Sequence, residues 1–253
     1  MKLIRFMIND KKVLRYGIMG DGYARAIVAD PFEGMIVGTS ETYQADEITI
    51  LAPCTPTKIV AVGLNYRDHA EELKMPLPDE PLIFLKPPSS VIGQGGEIIR
   101  PAQSNRVDYE AELGVVIGKT TRNVPPEKVK GHVLGYTCVN DVTARDLQMK
   151  DVQFTRAKGF DTFCPIGPCI ETEFDPSDVL VECRLNGEIK QSSRTSQFIH
   201  HVPELVSFIS QIMTLEPGDV ISTGTPKGIG PMESGDEVVV SIDGIGELRN
   251  NVI

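Results

Sequence analysis

No run of about 18 apolar residues, the length a helix needs to cross a bilayer, occurs anywhere in the 253-residue chain. The opening stretch MKLIRFMINDKK lacks a continuous apolar core of signal-peptide length, so a soluble protein is expected. An excess of positive charge is also missing. Lys and Arg number 25 against 35 Asp and Glu, and a formal net charge of −10 argues against nucleic acid or an anionic membrane as a partner. The five cysteines, at 54, 138, 164, 169 and 183, include no CxxC pair and are odd in number. A reduced, cytoplasmic protein is the economical reading of that usage. The phosphate-loop pattern GxxxxGK[ST] is absent, and the glycine-rich stretch 224–230 is followed by no clear helix, which removes a dinucleotide fingerprint. Internal repeats and low-complexity segments are absent too.

What is present fits one medium domain with a small appended one, of the α+β class and mostly β. Residues 1–52 alternate short apolar runs (3–8, 13–18, 23–28) with turn-forming Asn-Asp-Lys and Gly-Asp-Gly, and they predict a small N-terminal β lobe. Two prolines in 52–58 mark a boundary. A second unit, 56–253, follows. Its clearest helix spans 203–213, with Leu205, Phe208, Ile209 and Ile212 on one face read as core. Asn186-Gly187 between two apolar runs predicts a hairpin.

The most informative stretch is 107–116, Val-Asp-Tyr-Glu-Ala-Glu-Leu-Gly-Val-Val. Alternation with a period of two puts Asp108, Glu110 and Glu112 on one face of a strand. Like charges in a row repel. Either a hard divalent cation gathers them, or the strand is an exposed edge with a polar outer face. Asp141 stands at the end of the apolar run 133–139, placed to join two acids from a neighbouring strand or to cap a helix beginning near Thr143. In the predicted helix 65–73, His69 and Glu72 share a face at i and i+3. The carboxylate could orient the imidazole as a general base for water, or the helix could be a surface one with an incidental histidine. Lys86 ends the strand 81–86, where a loop could present it to an anion or leave it solvated. The stretch 218–230 reads as a strand and a glycine-rich loop that could bring main-chain N–H groups and the Thr225 hydroxyl to a carboxylate.

Six motifs appear in order: Gly63-Leu-Asn-Tyr-Arg-Asp-His69, Phe84-Leu-Lys-Pro-Pro88, Asp108-Tyr-Glu-Ala-Glu112, Asn140-Asp-Val-Thr-Ala-Arg-Asp-Leu-Gln148, Lys158-Gly-Phe-Asp161 and Gly224-Thr-Pro-Lys-Gly-Ile-Gly230. Together they resemble the fumarylacetoacetate hydrolase family over residues 56–253. The likeness is to its compact branch of acylpyruvate hydrolases, oxaloacetate decarboxylases or tautomerases, and hydroxyheptadienedioate isomerases. The resemblance implies a mixed β-roll, barrel-like, with a few helices, a homodimer, and a magnesium or manganese ion on Glu110, Glu112 and Asp141. It implies that His69 and Glu72 activate water and that Lys158, Gln148 and Thr225 hold a 2-oxo acid substrate, with Arg145 in the same motif as Gln148. The founding enzyme places a further acid shortly before its histidine. None lies between Lys58 and Arg67, which fits the three-carboxylate branch and argues against fumarylacetoacetate as substrate. Acylpyruvate hydrolysis is expected first, then oxaloacetate decarboxylation or tautomerisation, or dienedioate isomerisation, on the same site. A non-catalytic protein that binds a metal and a small acid is the reading from another class.

Overall fold

The computed structural model describes all residues, Met1–Ile253. Strands dominate, because β-branched runs of five to eight residues recur between turns. The main sheet has 12 strands. Ten of them run in the order Gly38–Gln44, Tyr23–Ile27, Val13–Met19, Lys2–Ile8, Cys164–Glu171, Val133–Asn140, Ala111–Ile117, Val220–Ser222, Ile59–Gly63 and Leu82–Lys86, while Ile48–Leu51 pairs with Lys2–Ile8 and Val91–Ile92 with Cys164–Glu171 off this path. The N-terminal strands therefore continue the sheet of the rest of the chain, joined where Lys2 and Leu3 pair with Glu171 and Ile170. A sheet of 5 strands carries the hairpin Leu180–Leu185 and Glu188–Arg194, turning at Asn186-Gly187 with Asn186 at φ 53° and Gly187 at φ 82°. Both residues then take the positive φ that such a two-residue turn demands. A third, small sheet joins Val107–Tyr109 to Thr143–Ala144 and Gly230–Pro231.

Two expectations shift here. The acidic stretch is two strands: Val107–Tyr109 belongs to the small sheet and Ala111–Ile117 to the large one, and Glu110 is the break between them. Every residue from 107 to 117 is buried, so the exposed-edge alternative is excluded. The long helix spans Val202–Ile212, with Leu205 and Ile209 fully buried, but Ile212 at its end is 52% exposed and lies outside the core stripe. A core of 39 buried residues, including Phe6, Val60, Leu113, Phe163, Leu205 and Val240, spans both the N-terminal and the later strands. No helix is long and apolar enough to cross a membrane. All five cysteines are buried and unpaired, and burial pushes the Cys54 and Cys164 thiols up to about 12, which makes them inert.

Candidate metal centre and its cavity

Register brings three of the acids together. Ala111 pairs with Asn140 across the antiparallel strands, so Asp141 emerges beside Glu110, and its N–H donates to the Glu110 carbonyl at 2.9 Å. Carboxylate oxygens of Glu110, Glu112 and Asp141 lie within 4.8 Å of one another, and all three residues are buried. The break at Glu110 sends Asp108 elsewhere. Its carboxylate, fully buried, is gripped by Arg106 (Nε to Oδ1, 2.8 Å) and Arg145 (Nε to Oδ2, 2.9 Å), outside the cluster.

Buried carboxylates need partners. Lys158, on the short helix Thr155–Lys158, donates from Nζ to Glu110 Oε2 at 2.8 Å and to Asp141 Oδ2 at 2.6 Å. Arg145 adds an ion pair with Glu110 and donates to Gln148 Oε1 at 2.5 Å. Burial by itself would raise the Glu110 pKa, but Lys158 and Arg145 outweigh it and hold the group below the usual carboxylate range. Burial would likewise lower Lys158, yet Asp141 and Glu110 keep it raised, an ammonium. Glu112 differs. One of its oxygens accepts from Ser222 Oγ (2.5 Å) and Gly224 N–H (2.8 Å), and the other takes no hydrogen bond from the protein. Burial, then the neighbouring Asp141 and Glu110 charges, push its pKa well above the ordinary range. Three hard oxygen donors with one oxygen unclaimed are the chemistry that suits magnesium or manganese.

These groups lie around a cavity of about 290 Å³, also lined by His69, Arg145, Gln148 and Thr225 and walled by Leu64, Leu73, Met75, Leu82, Phe84, Met149 and Phe154. A larger groove, about 600 Å³, runs past Tyr136, Phe174 and His201 and holds a single acid, Asp175. The helix that carries His69 begins at Arg67, two residues later than expected, because the buried Asn65 side chain is spent on Thr223 O and on the main chain of His200. His69 is 6% exposed, so it is not an incidental surface histidine. Its Nδ1 meets Glu72 Oε2 at 2.8 Å.

Two readings of single residues are overturned. Lys86 is neither solvated nor presented by a loop. It is 1% exposed, ion-paired with Asp141 and bonded to Val142 O (3.2 Å), and it does not line the cavity. Asp141 caps no helix, since its carboxylate is taken by Lys86 and Lys158 and the helix Arg145–Lys150 starts without a side-chain cap. Sequence reasoning missed the roles of Ser222, which donates to Glu112, of Asn140, whose Oδ1 accepts from the Glu110 N–H at 3.0 Å, and of Gln191, whose Oε1 accepts from the Ala111 N–H at 2.9 Å. Gln191 is 1% exposed on a strand of otherwise largely exposed residues, and nothing in the surrounding EIKQSSR pattern marks it.

A buried three-carboxylate cluster beside a lysine, in a cavity lined by His69 of the His–Glu pair, could hold a divalent cation on this mostly β scaffold. Residues 58–253 match the family model described as fumarylacetoacetate (FAA) hydrolase C-terminal, and residues 1–53 match one described as Rv2993c-like, N-terminal. The chain belongs to the fumarylacetoacetate hydrolase family. It is 44% identical over 220 residues to the mitochondrial oxaloacetate tautomerase FAHD2A of Homo sapiens, covering 82% of this chain and 70% of that one. Its fold matches a 5-carboxymethyl-2-hydroxymuconate delta-isomerase from Mycobacterium smegmatis at TM-score 0.93 and 43% identity, over 100% of this chain and 99% of the other. A maleylpyruvate hydrolase from Sphingobium sp. SYK-6, in complex with manganese(II) and pyruvate, matches at TM-score 0.83 and 29% identity, with the same coverage.

Proposed function

We propose that the chain is a magnesium- or manganese-dependent enzyme that acts on a small 2-oxo acid through its enol or enolate. The observation that carries this reading is the convergence of Glu110, Glu112 and Asp141 in a cavity shared with Lys158 and with His69, whose Nδ1 is bonded to Glu72. A divalent cation bound there would supply a Lewis acid for the 2-oxo oxygen. The chain's own groups do the rest. Lys158, held as an ammonium, offers positive charge to an enolate. Arg145 and Gln148, bonded to each other, orient the acid end of the substrate. Glu72 takes the Nδ1 side of His69, which leaves Nε2 as the nitrogen that accepts and returns a proton.

Keto–enol tautomerisation or a double-bond shift in a 2-oxo dicarboxylic acid stands first, supported by the likeness to the tautomerase and the isomerase. These reactions move protons and need no attacking water. Acylpyruvate hydrolysis, the first expectation from the sequence, is the second reading. It is favoured by the His69–Glu72 pair, an arrangement able to deprotonate water.

The test follows oxaloacetate, a hydroxyheptadienedioate and acetylpyruvate by ultraviolet absorbance with magnesium or EDTA, with products resolved by NMR. Metal-dependent interconversion of keto and enol forms, without chain cleavage, is the expected result. Metal-dependent release of pyruvate from acetylpyruvate would move the function to hydrolysis. Full activity in EDTA overturns the metal role altogether.

A further inference from the structure

Ala111 separates two of the clustered acids, and the sheet ladder does not reach it on one side. Along the strand Ala111–Ile117, the ladder with Val220–Ser222 covers only Gly114–Val116. Side chains fill the gap. Gln191 Oε1 accepts from Ala111 N–H at 2.9 Å, and Thr225 Oγ1 donates to Ala111 O at 3.0 Å. Gln191 Nε2 donates to Thr225 Oγ1 and to Pro226 O, both at 2.8 Å.

The donor and acceptor directions are forced. A main-chain N–H only donates and a carbonyl oxygen only accepts, so Ala111 and Pro226 fix which end of the Gln191 amide is which. Its NH₂ must then donate to the Thr225 hydroxyl, whose single proton goes to Ala111 O. Thr225 therefore has no hydroxyl proton left for an anion in the cavity. The donor it retains is its main-chain N–H, which makes no hydrogen bond within the chain.

We propose that Gln191 is a positioning residue of this site: it sets the Ala111 peptide between Glu110 and Glu112, and it commits the Thr225 hydroxyl to the protein. The side chain touches neither acid of the cluster. It acts on the spacing of two candidate ligands and on the orientation of a residue that lines the cavity. Partners one step behind a metal ligand typically change metal affinity by about 10–100-fold when removed.

The inference rests on the metal-site reading, and the experiment separates the two. Manganese affinity is measured by electron paramagnetic resonance on the wild type, Gln191→Met, Thr225→Val and the double variant, with oxalate affinity of the manganese-loaded proteins and thermal stability alongside. Methionine keeps the volume of Gln191 without its hydrogen bonds, and Thr225→Val probes the same network should Gln191→Met not fold. Gln191→Met is expected to weaken manganese binding about tenfold or more. The double variant should bind about as weakly as the worse single one, because both remove one network. Losses that multiply would show independent roles and overturn the proposal. So would a lowered melting temperature with manganese and oxalate affinities at wild-type values, which is the signature of a merely structural glutamine. Absence of manganese binding in the wild type would overturn the metal-site reading and this inference with it.

Discussion

His69 Nδ1 lies 2.8 Å from Glu72 Oε2, about one helical turn along Arg67–Leu73, and the Gly228 N–H donates to that same oxygen at 3.3 Å and to its twin at 3.1 Å. The glycine-rich loop thus holds the carboxylate that holds the imidazole. His69→Ala is expected to lower kcat by about 10²–10⁴-fold, the usual contribution of a positioned acid or base. Manganese affinity should not change, because His69 is not part of the carboxylate cluster. A proportional loss of metal binding in the same variant would show that His69 supports the cluster instead of carrying a proton.

Lys158 bridges Glu110 and Asp141 with a buried ammonium. A metal ion must share these carboxylates with that charge. Lys158→Met is therefore expected to bind manganese more tightly than the wild type while turning over substrate far more slowly. In EDTA the same variant should be less stable, since two buried carboxylates lose a counterion. Weaker manganese binding in Lys158→Met, measured by calorimetry, would contradict this account.

Glu112 carries a pH dependence of definite sign. Its pKa in the fold is raised, by burial and by the Asp141 and Glu110 charges. A raised carboxyl pKa adds stability below the ordinary carboxylate range, and that stability is lost as pH rises through the raised value. A metal ion requires the ionised form, so binding releases a proton and tightens with pH, by up to about tenfold per pH unit while Glu112 remains protonated. Calorimetry in buffers of different protonation enthalpy should show the released proton. Affinity that is flat with pH below the raised value would refute the assignment.

The order of the motifs made the acids, the lysine and the His–Glu pair legible in the sequence, because each sits in a short local pattern. The strands were legible for the same reason: alternation, prolines and Asn186-Gly187 are local signals. What failed was non-local. Alternation at 107–112 treats Asp108, Glu110 and Glu112 as equivalent; the family resemblance left Asp108 out of the ligand set, and the transfer of the chain from the small sheet to the large one is the physical reason it stands apart. Lys86 is polar at a strand end, where solvent is the ordinary reading, yet Asp141, 55 residues on, gives it a buried partner. Gln191 serves a peptide 80 residues earlier in the chain, and no pattern around it encodes that distance.

The same non-local pairing changes what the ligand variants should do to stability. Asp141 neutralises two buried cations, Lys86 and Lys158, whereas Glu110 shares Lys158 with Asp141 and Arg145 with Asp108 and Gln148. Glu110→Gln leaves each of its cations a second partner. Asp141→Asn removes the one carboxylate paired with the Lys86 ammonium, leaving it neutral acceptors alone, the Val142 carbonyl and an amide oxygen. Both variants should lose metal-dependent turnover, but in EDTA Asp141→Asn should lose more stability, about 3–5 kcal/mol as for a broken buried ion pair. Adding Lys86→Met to Asp141→Asn should return much of that stability without restoring metal binding, because the unpaired charge is removed and the ligand is still missing. Equal denaturation midpoints for Glu110→Gln and Asp141→Asn in EDTA would show that Lys86 finds solvent or another acceptor when its carboxylate is gone.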